Sequence, residues 1–429
     1  MAVPLAAAYL IVAPPAADLA AATYRSDLFA RAGFTTWDTG WYATHGHWLP
    51  AYSLLSPALG ALLGVRVLLA LSAVAAAGLF GLIAERVFGL AGARIAAGWF
   101  ALGICVSLLS GRVPYELGFA IGLGAVLALL RGRSVLVLGL AVLTSAASPV
   151  AGAFLALVGL AYAVVDRGRG LALAVAALAP ILALSIAYPE GGYEPFAASA
   201  FWPALAGVVS IALLLPQGPL TPNGRLVVKA GTALYALALI GAYAIHTPMG
   251  GNVARLGPLL AGPLLAGMLW DRHRGTLLLL TPLLLYWQLV TPIRDYSSIA
   301  SDPSVQASYY APVLAELRVL SHGRPTIVEV PLTKAHWEAA HLAGHDDISL
   351  ARGWERQLDT RYASLFYRSP LTAAAYRAWL AENRVRYVAL PDVPLDKAGA
   401  VEGALIARGL PYLQELWHSR HWRLYRAMG

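Results

Sequence analysis

The chain is short of charge. Asp, Glu, Lys and Arg make up 13% of its 429 residues, about half the share of an ordinary soluble domain, while hydrophobic residues reach 59%. With a mean hydropathy of +0.63, a soluble globular protein is excluded and a polytopic membrane protein is expected. Cysteine is almost absent. Cys105 stands alone inside an apolar run, so an intramolecular disulfide is excluded and a small buried hydrophobe is a better reading than a thiolate site. Lysine is scarce beside arginine, with Lys229, Lys334 and Lys397 its representatives, a bias that hints at a GC-rich, bacterial coding genome. The segment Met1 to Ala13 lacks the basic start of a signal peptide and reads as a short, retained first membrane helix. Neither a solenoid repeat nor an inverted repeat of the transporter kind is visible.

What charge there is has a pattern. The net charge of +8 falls in short clusters between apolar runs, as topology signals do, and this argues against nucleic acid as a partner. Eleven apolar segments can be bounded, at roughly 2–20, 65–84, 93–110, 116–130, 134–147, 149–165, 170–187, 203–216, 228–246, 256–270 and 276–292. The clusters at Arg86 to Arg94, Arg131 to Arg133, Asp166 to Arg169, Arg225 to Lys229 and Asp271 to Arg274 go to the cytoplasmic side. About eleven membrane helices then put the N-terminus inside and everything after Pro292 outside. This requires a hairpin breaking at Pro149; one long kinked span there would reverse the later loops. Ser53 to Gly64 is apolar but short, and suits an interfacial or re-entrant helix. The expected fold is an α-helical polytopic membrane domain over 1–295, with a first outer loop at 18–56, followed by a small extracytoplasmic α/β domain over 296–429. In that domain 326–330 and 386–390 read as strands, 370–383 and 397–408 as helices, and 416–426 as a terminal strand or hairpin.

The first outer loop holds the densest group of aromatic and titratable side chains in the N-terminal two thirds: Trp37, Asp38, Trp41, Tyr42, His45, His47 and Trp48. One reading is an aromatic belt with a solvated carboxylate. The sharper one makes Asp38, partly desolvated by Trp37 and Trp41, a general base for an acceptor hydroxyl. One carboxylate suffices if the leaving group is a lipid phosphate, which departs as an anion. His45 and His47 suit polar contacts to substrate; without a clear third ligand a divalent metal is left open. Further outer-loop candidates are Arg112 and Glu116 in the turn before the fourth apolar segment, Glu194 within Pro189 to Phe196, and Asn252 and Arg255 in Gly250 to Gly257. An arginine in an outer loop opposes the topology rule, so Arg255 points to a local anionic partner such as a lipid phosphate. His336, His341 and His345, with Glu338, Asp346 and Asp347 nearby, read as a solvated helix face. Trp354 to Asp359 and Trp417 to Trp422 either line an acceptor surface or pack the domain, and packing is the better reading.

Trp37-Asp38-Thr39-Gly40-Trp41-Tyr42, the His45-Gly46 pair and Leu49-Pro50-Ala51-Tyr52-Ser53-Leu54-Leu55-Ser56-Pro57 resemble the first outer loop of GT-C-type integral membrane glycosyltransferases. The resemblance is nearest to the glycosylphosphatidylinositol mannosyltransferase V-like branch and its bacterial relatives. It implies a polyprenyl-phosphate sugar donor with Asp38 as the catalytic base; the reading built on it is an inverting transfer to an extracytoplasmic cell-envelope glycan or glycolipid, with Trp37, Tyr42, His45 and His47 as the substrate contacts of the first loop and a divalent metal left open. The implied location is the plasma or inner membrane. The chain departs from the family in having no Asp-x-Asp or Glu-x-Asp pair and in its Leu-Pro-Ala-Tyr order. Two rivals stand beside this: a transporter or lipid flippase, which calls for charges at mid-depth, where Arg66 is the ambiguous case, and a non-catalytic scaffold of the same fold.

Overall fold

The computed structural model describes residues 1–189, 191–214, 220–345, 347–367 and 370–428; Glu190 and Asp346 of the sequence reading lie outside them. Helices and strands are numbered along the chain, which divides into two compact units. The first comprises Met1–Pro14, Pro50–Pro189 and Tyr193–Arg294, the second Pro15–Leu49, Glu190–Gly192 and Asp295–Gly429. The residues of the first outer loop up to Leu49 therefore cluster with the C-terminal residues.

The first unit is helical: α1 (Ala2–Val12), α3 (Ser56–Leu63), α4 (Val65–Val87), α5 (Leu90–Ser107), α6 (Val113–Leu130), α7 (Ser134–Ala147), α8 (Pro149–Tyr162), α9 (Arg167–Ala187), α10 (Ala198–Leu214), α11 (Pro222–Ala244), α12 (Leu256–Leu269) and α13 (Arg274–Ser297), whose last residues pass into the second unit. Each of the eleven apolar segments contains one of these helices, but seven of the described helices are long and apolar enough to cross a membrane: α4, α5 with its 3-10 extension, α6, α9, α11, α12 with the 3-10 turn before it, and α13. The segment at 2–20 is cut short because Ala13 turns left-handed ahead of Pro14 and Pro15, leaving α1 with 11 residues. α7 and α8 have 14 residues each. They are separated at Ser148, whose extended backbone and side-chain oxygen cap α8 ahead of Pro149. The two fold back on each other: Val137 and Ala141 share a core cluster with Leu155 and Ala156, and a Cβ on Gly152 would overlap Ser145. Arg66 lies in the first turn of α4 and donates to the Pro14 carbonyl at 2.5 Å, away from mid-span.

Small residues set the close approaches in this unit. A Cβ on Gly92 of α5 would stand 2.7 Å from the Gly267 carbonyl of α12, and one on Gly159 of α8 would stand 2.6 Å from the Ala174 amide of α9. Backbones meet there because no side chain intervenes, as helix pairs in lipid require. α6 ends in a Schellman closure. The Gly132 amide donates to Leu129 and the Arg133 amide to Ala128, with Gly132 left-handed at φ 69°.

The second unit contains α2 (Ala17–Ala32), a two-stranded ribbon of β1 (Trp37–Asp38) and β2 (His47–Trp48), and an α/β layer formed by α14 (Ala307–Ser321), β3 (Thr326–Glu329), α15 (Glu338–His341), β4 (Ile348–Leu350), α16 (Ala363–Tyr367), α17 (Ala373–Glu382), β5 (Tyr387–Pro391), α18 (Lys397–Ala407), β6 (Leu413–His418) and β7 (Trp422–Ala427). The sheet order is β4-β3-β5-β7-β6, parallel from β4 through β5 and antiparallel beyond. Tyr376 and Trp379 of α17 and Ile406 of α18 pack with Val388 of β5 and Tyr425 of β7 in its core. Arg352 is buried between Glu329 and Glu402; it donates to Glu329 at 2.7 Å and also to Glu402, whose other oxygen accepts from the Tyr376 hydroxyl at 2.7 Å. Burial, then the charge of Glu402, pushes the Glu329 carboxyl well above its ordinary value. The expected solvated histidine face is corrected. α15 has four residues, Glu338 is buried with Thr333 donating to it at 2.6 Å, and His341 is packed against Tyr310 and Trp337.

Candidate active site

Asp38 is positioned by a ribbon two residues long. Strand alternation sends its side chain inward, 7% exposed, and its neighbour Trp37 outward, 45% exposed. Trp37 packs edge-on against Trp48, while the buried Asp38 is held by Tyr24 of α2 and by amides of its own loop. The Tyr24 hydroxyl donates to Asp38 Oδ2 at 2.7 Å, the Gly40 amide to Oδ1 at 3.0 Å and the Trp41 amide to Oδ2 at 3.3 Å. Gly40 is required here, since a Cβ would lie 2.6 Å from the Tyr24 oxygen. Burial, then the carboxylate of Asp38, raises the Tyr24 phenol far above its ordinary value, so it stays a donor.

His47 pairs with Asp38 across the ribbon, its Nδ1 3.8 Å from Oδ2. It is 1% exposed, and burial, then the charge of Arg25, holds its imidazole well below the ordinary value, hence neutral at pH 7. Both of its ring nitrogens, and Nε1 of the adjacent Trp41, are buried without hydrogen-bond partners. Unpaired buried polar atoms beside a carboxylate are what a bound hydroxyl-rich ligand would satisfy.

The loop between the strands is stitched to the edge of the sheet. Leu350 donates to the Gly40 carbonyl at 2.9 Å, Ala43 to that of Leu350 at 2.8 Å and Thr44 to that of Ala351 at 3.3 Å. Tyr42 takes a left-handed backbone, φ 60°. Its buried hydroxyl accepts from the Glu355 amide at 2.7 Å and donates to the Glu355 carbonyl at 3.2 Å. Tyr42 is thus a clamp holding the loop. His45 is held by Thr44 and the Leu358 carbonyl, each at 3.0 Å, and His47 faces Asp38. Among the described residues no three His, Cys, Asp or Glu side chains group as metal ligands. Missed in the sequence were Tyr24 and the pairing of Arg25 with Glu355, with contacts of 3.2 and 2.6 Å; Trp354, read as packing, packs on Trp41 at 4.7 Å and stacks on His336 at 4.4 Å and 8°.

The remaining candidates lie in the helical unit. Gly111 is left-handed at φ 71°, and Arg112 caps α6. One turn in, Glu116 is 1% exposed; Ser107 donates to one of its oxygens, while the other, like the Tyr115 hydroxyl, is buried without a partner. The Arg255 guanidinium lies 5.6 Å over the Tyr115 ring, which places it beside the first turn of α6, where Arg112 is the cap and Glu116 follows. Tyr235 fixes the turn beneath, accepting from the Gly257 amide at 3.0 Å and donating to the Val253 carbonyl at 2.9 Å. Asn252 sits in the 3-10 turn Gly250–Arg255, and the Glu194 backbone passes so close to Gly250 that a Cβ there would overlap its carbonyl. An ionisable group buried in an apolar helix is costly and marks function more often than structure.

A polytopic helical unit joined to a small α/β unit, with a buried carboxylate in the first loop, defines a class of membrane protein. No family model matches the chain, and no curated protein matches it. Solved structures do match it, among them the following two. Arabinofuranosyltransferase AftD from Mycobacteria, in a mutant form, aligns with a TM-score of 0.54 at 16% identity, over 100% of this chain and 41% of that one. The Archaeoglobus fulgidus oligosaccharyltransferase, tethered with an acceptor peptide, aligns with a TM-score of 0.51 at 12% identity, over 97% of this chain and 70% of that one. The chain thus spans less than half of the AftD chain. The chain shares its fold with these two structures.

Proposed function

We propose that this protein is an inverting membrane glycosyltransferase that moves a sugar from a polyprenyl-phosphate donor to an extracytoplasmic cell-envelope glycan or glycolipid. Its nearest relation would be the glycosylphosphatidylinositol mannosyltransferase V-like branch and its bacterial relatives. The observation that carries the reading is Asp38: a buried first-loop carboxylate, oriented by a phenol and two amides, in a chain with the fold of an arabinofuranosyltransferase and an oligosaccharyltransferase. In this reading Asp38 takes the proton of the acceptor hydroxyl as that oxygen attacks the anomeric carbon. His47, neutral and unpaired, would contact the sugar; Trp37, Tyr42 and His45 would shape its surroundings. The catalytic unit would face the outside of the plasma or inner membrane, with the N-terminus inside. Four shorter apolar helices, α1, α7, α8 and α10, would complete about eleven crossings.

Independently, in the helical unit, Arg255 and Arg112 would hold the lipid phosphate, and Glu116, with Glu194 and Asn252, would fix their orientation. The test is transfer from a labelled polyprenyl-phosphate sugar to membrane glycans. Asp38→Asn should abolish it at unchanged protein level; undiminished transfer would overturn the assignment. Arg255→Gln should raise the donor KM more than it lowers kcat.

A further inference from the structure

Outside the residues already assigned, the helical unit carries a cavity of about 1130 Å³ between α4, α6 and α7. Its walls are apolar, from Leu68, Leu71 and Leu79 on α4 to Leu117 and Ile121 on α6 and Leu140 on α7. Along α6 it runs from Leu117 to Arg131, about 21 Å at the rise of a helix, which is more than one leaflet of hydrocarbon. A smaller cavity of about 150 Å³ lies on the other side of α7, against Val137, Leu138 and Ala172. The two share Arg133 and Ser134 at the mouth; the larger adds Arg131 and the smaller adds Arg169.

The mouth is charged and fixed in shape. The Schellman closure of α6 pins Arg131, Gly132 and Arg133 in one geometry, and both arginines are exposed. Arg169 is paired with Asp166 at 3.6 Å, whereas no acidic partner of Arg131 or Arg133 is found among the described residues. Two apolar clefts that meet at one cationic turn match a molecule with one anionic head and two hydrocarbon chains. A single-chain polyprenyl phosphate would leave the second cleft without an occupant. We propose that this turn and its two clefts bind an anionic diacyl phospholipid, phosphate on Arg131 and Arg133, one chain in the α4–α6–α7 cleft and the other started along α7 and α9. Basic pockets between membrane helices recognise anionic head groups by the same charge and shape.

The experiment uses the full chain in nanodiscs of phosphatidylglycerol, of phosphatidylcholine, or of phosphatidylcholine doped with undecaprenyl phosphate, followed by delipidation and native mass spectrometry. The wild type should retain one phosphatidylglycerol and little phosphatidylcholine. Arg131→Gln and Arg133→Gln should each weaken retention about fivefold, and together about 30-fold. Ala75→Phe, which fills the larger cleft from α4, should remove retention while both arginines remain. Folding of each variant is checked by its thermal transition in phosphatidylcholine, which should match the wild type. Equal retention of the two phospholipids, retention unchanged in the double variant, or preferential retention of undecaprenyl phosphate would each overturn the proposal.

Discussion

Asp38 receives three hydrogen bonds, so removing its charge and removing its support are separable. Asp38→Asn should lower transfer about 10²- to 10⁴-fold, the range for loss of a general base. Tyr24→Phe removes only the phenol donor; the expected result is a smaller loss of rate and about 1 kcal/mol of stability, read from the thermal transition. His47 gives a pH signature of defined sign. Its folded value lies below its unfolded one near 6.5, so its share of stability is complete above that pH and is lost as the pH falls toward the folded value. Carboxyls raised by burial, such as Asp359, act in the opposite direction at lower pH, so the readout is the difference between wild type and His47→Gln from pH 7.5 to 5. Asp38 could be singled out in the sequence because Trp37, Trp41, Tyr42, His45, His47 and Trp48 all sit within ten residues of it. Tyr24 could not, since what selects it is proximity in space.

Among the elements, legibility followed periodicity and length. The apolar segments announced their helices, and the alternating runs at β3 and β5 their strands. β4 is three residues long and α14 carries Pro312 inside it, so neither offered a pattern to read, yet β4 is the edge on which the first loop is laid. Its neighbour Arg352 sets a second prediction. Arg352→Met leaves Glu329 and Glu402 buried without their cation and should destabilise the α/β unit by about 3 to 5 kcal/mol, measured by chemical denaturation. In the helical unit, Gly92→Ala places a methyl against the backbone of Gly267 and should cost about 1 to 3 kcal/mol through overpacking, seen as a lower thermal transition.

For the molecule as a whole, the main finding is that the α/β unit is discontinuous in sequence. Composition marks a change after Arg294, and the unit boundary falls there, but composition says nothing of where residues 15–49 belong. A chain of residues 295–429 alone would lack the loop paired with β4 and the arginine bonded to Glu355. It should be cleaved by protease far faster than the same residues in the full protein, and adding residues 15–49 in trans should slow that cleavage. The Arg25 to Glu355 pair also sets a clock. Its members are 330 residues apart, so at a synthesis rate of 5 to 20 residues per second Arg25 waits on the order of 15 to 65 seconds for its carboxylate to be made. Through that interval Tyr42 has no Glu355 backbone to grip and Gly40 no strand to lie beside. The segment bearing Asp38 is therefore synthesised long before the residues that give it its shape.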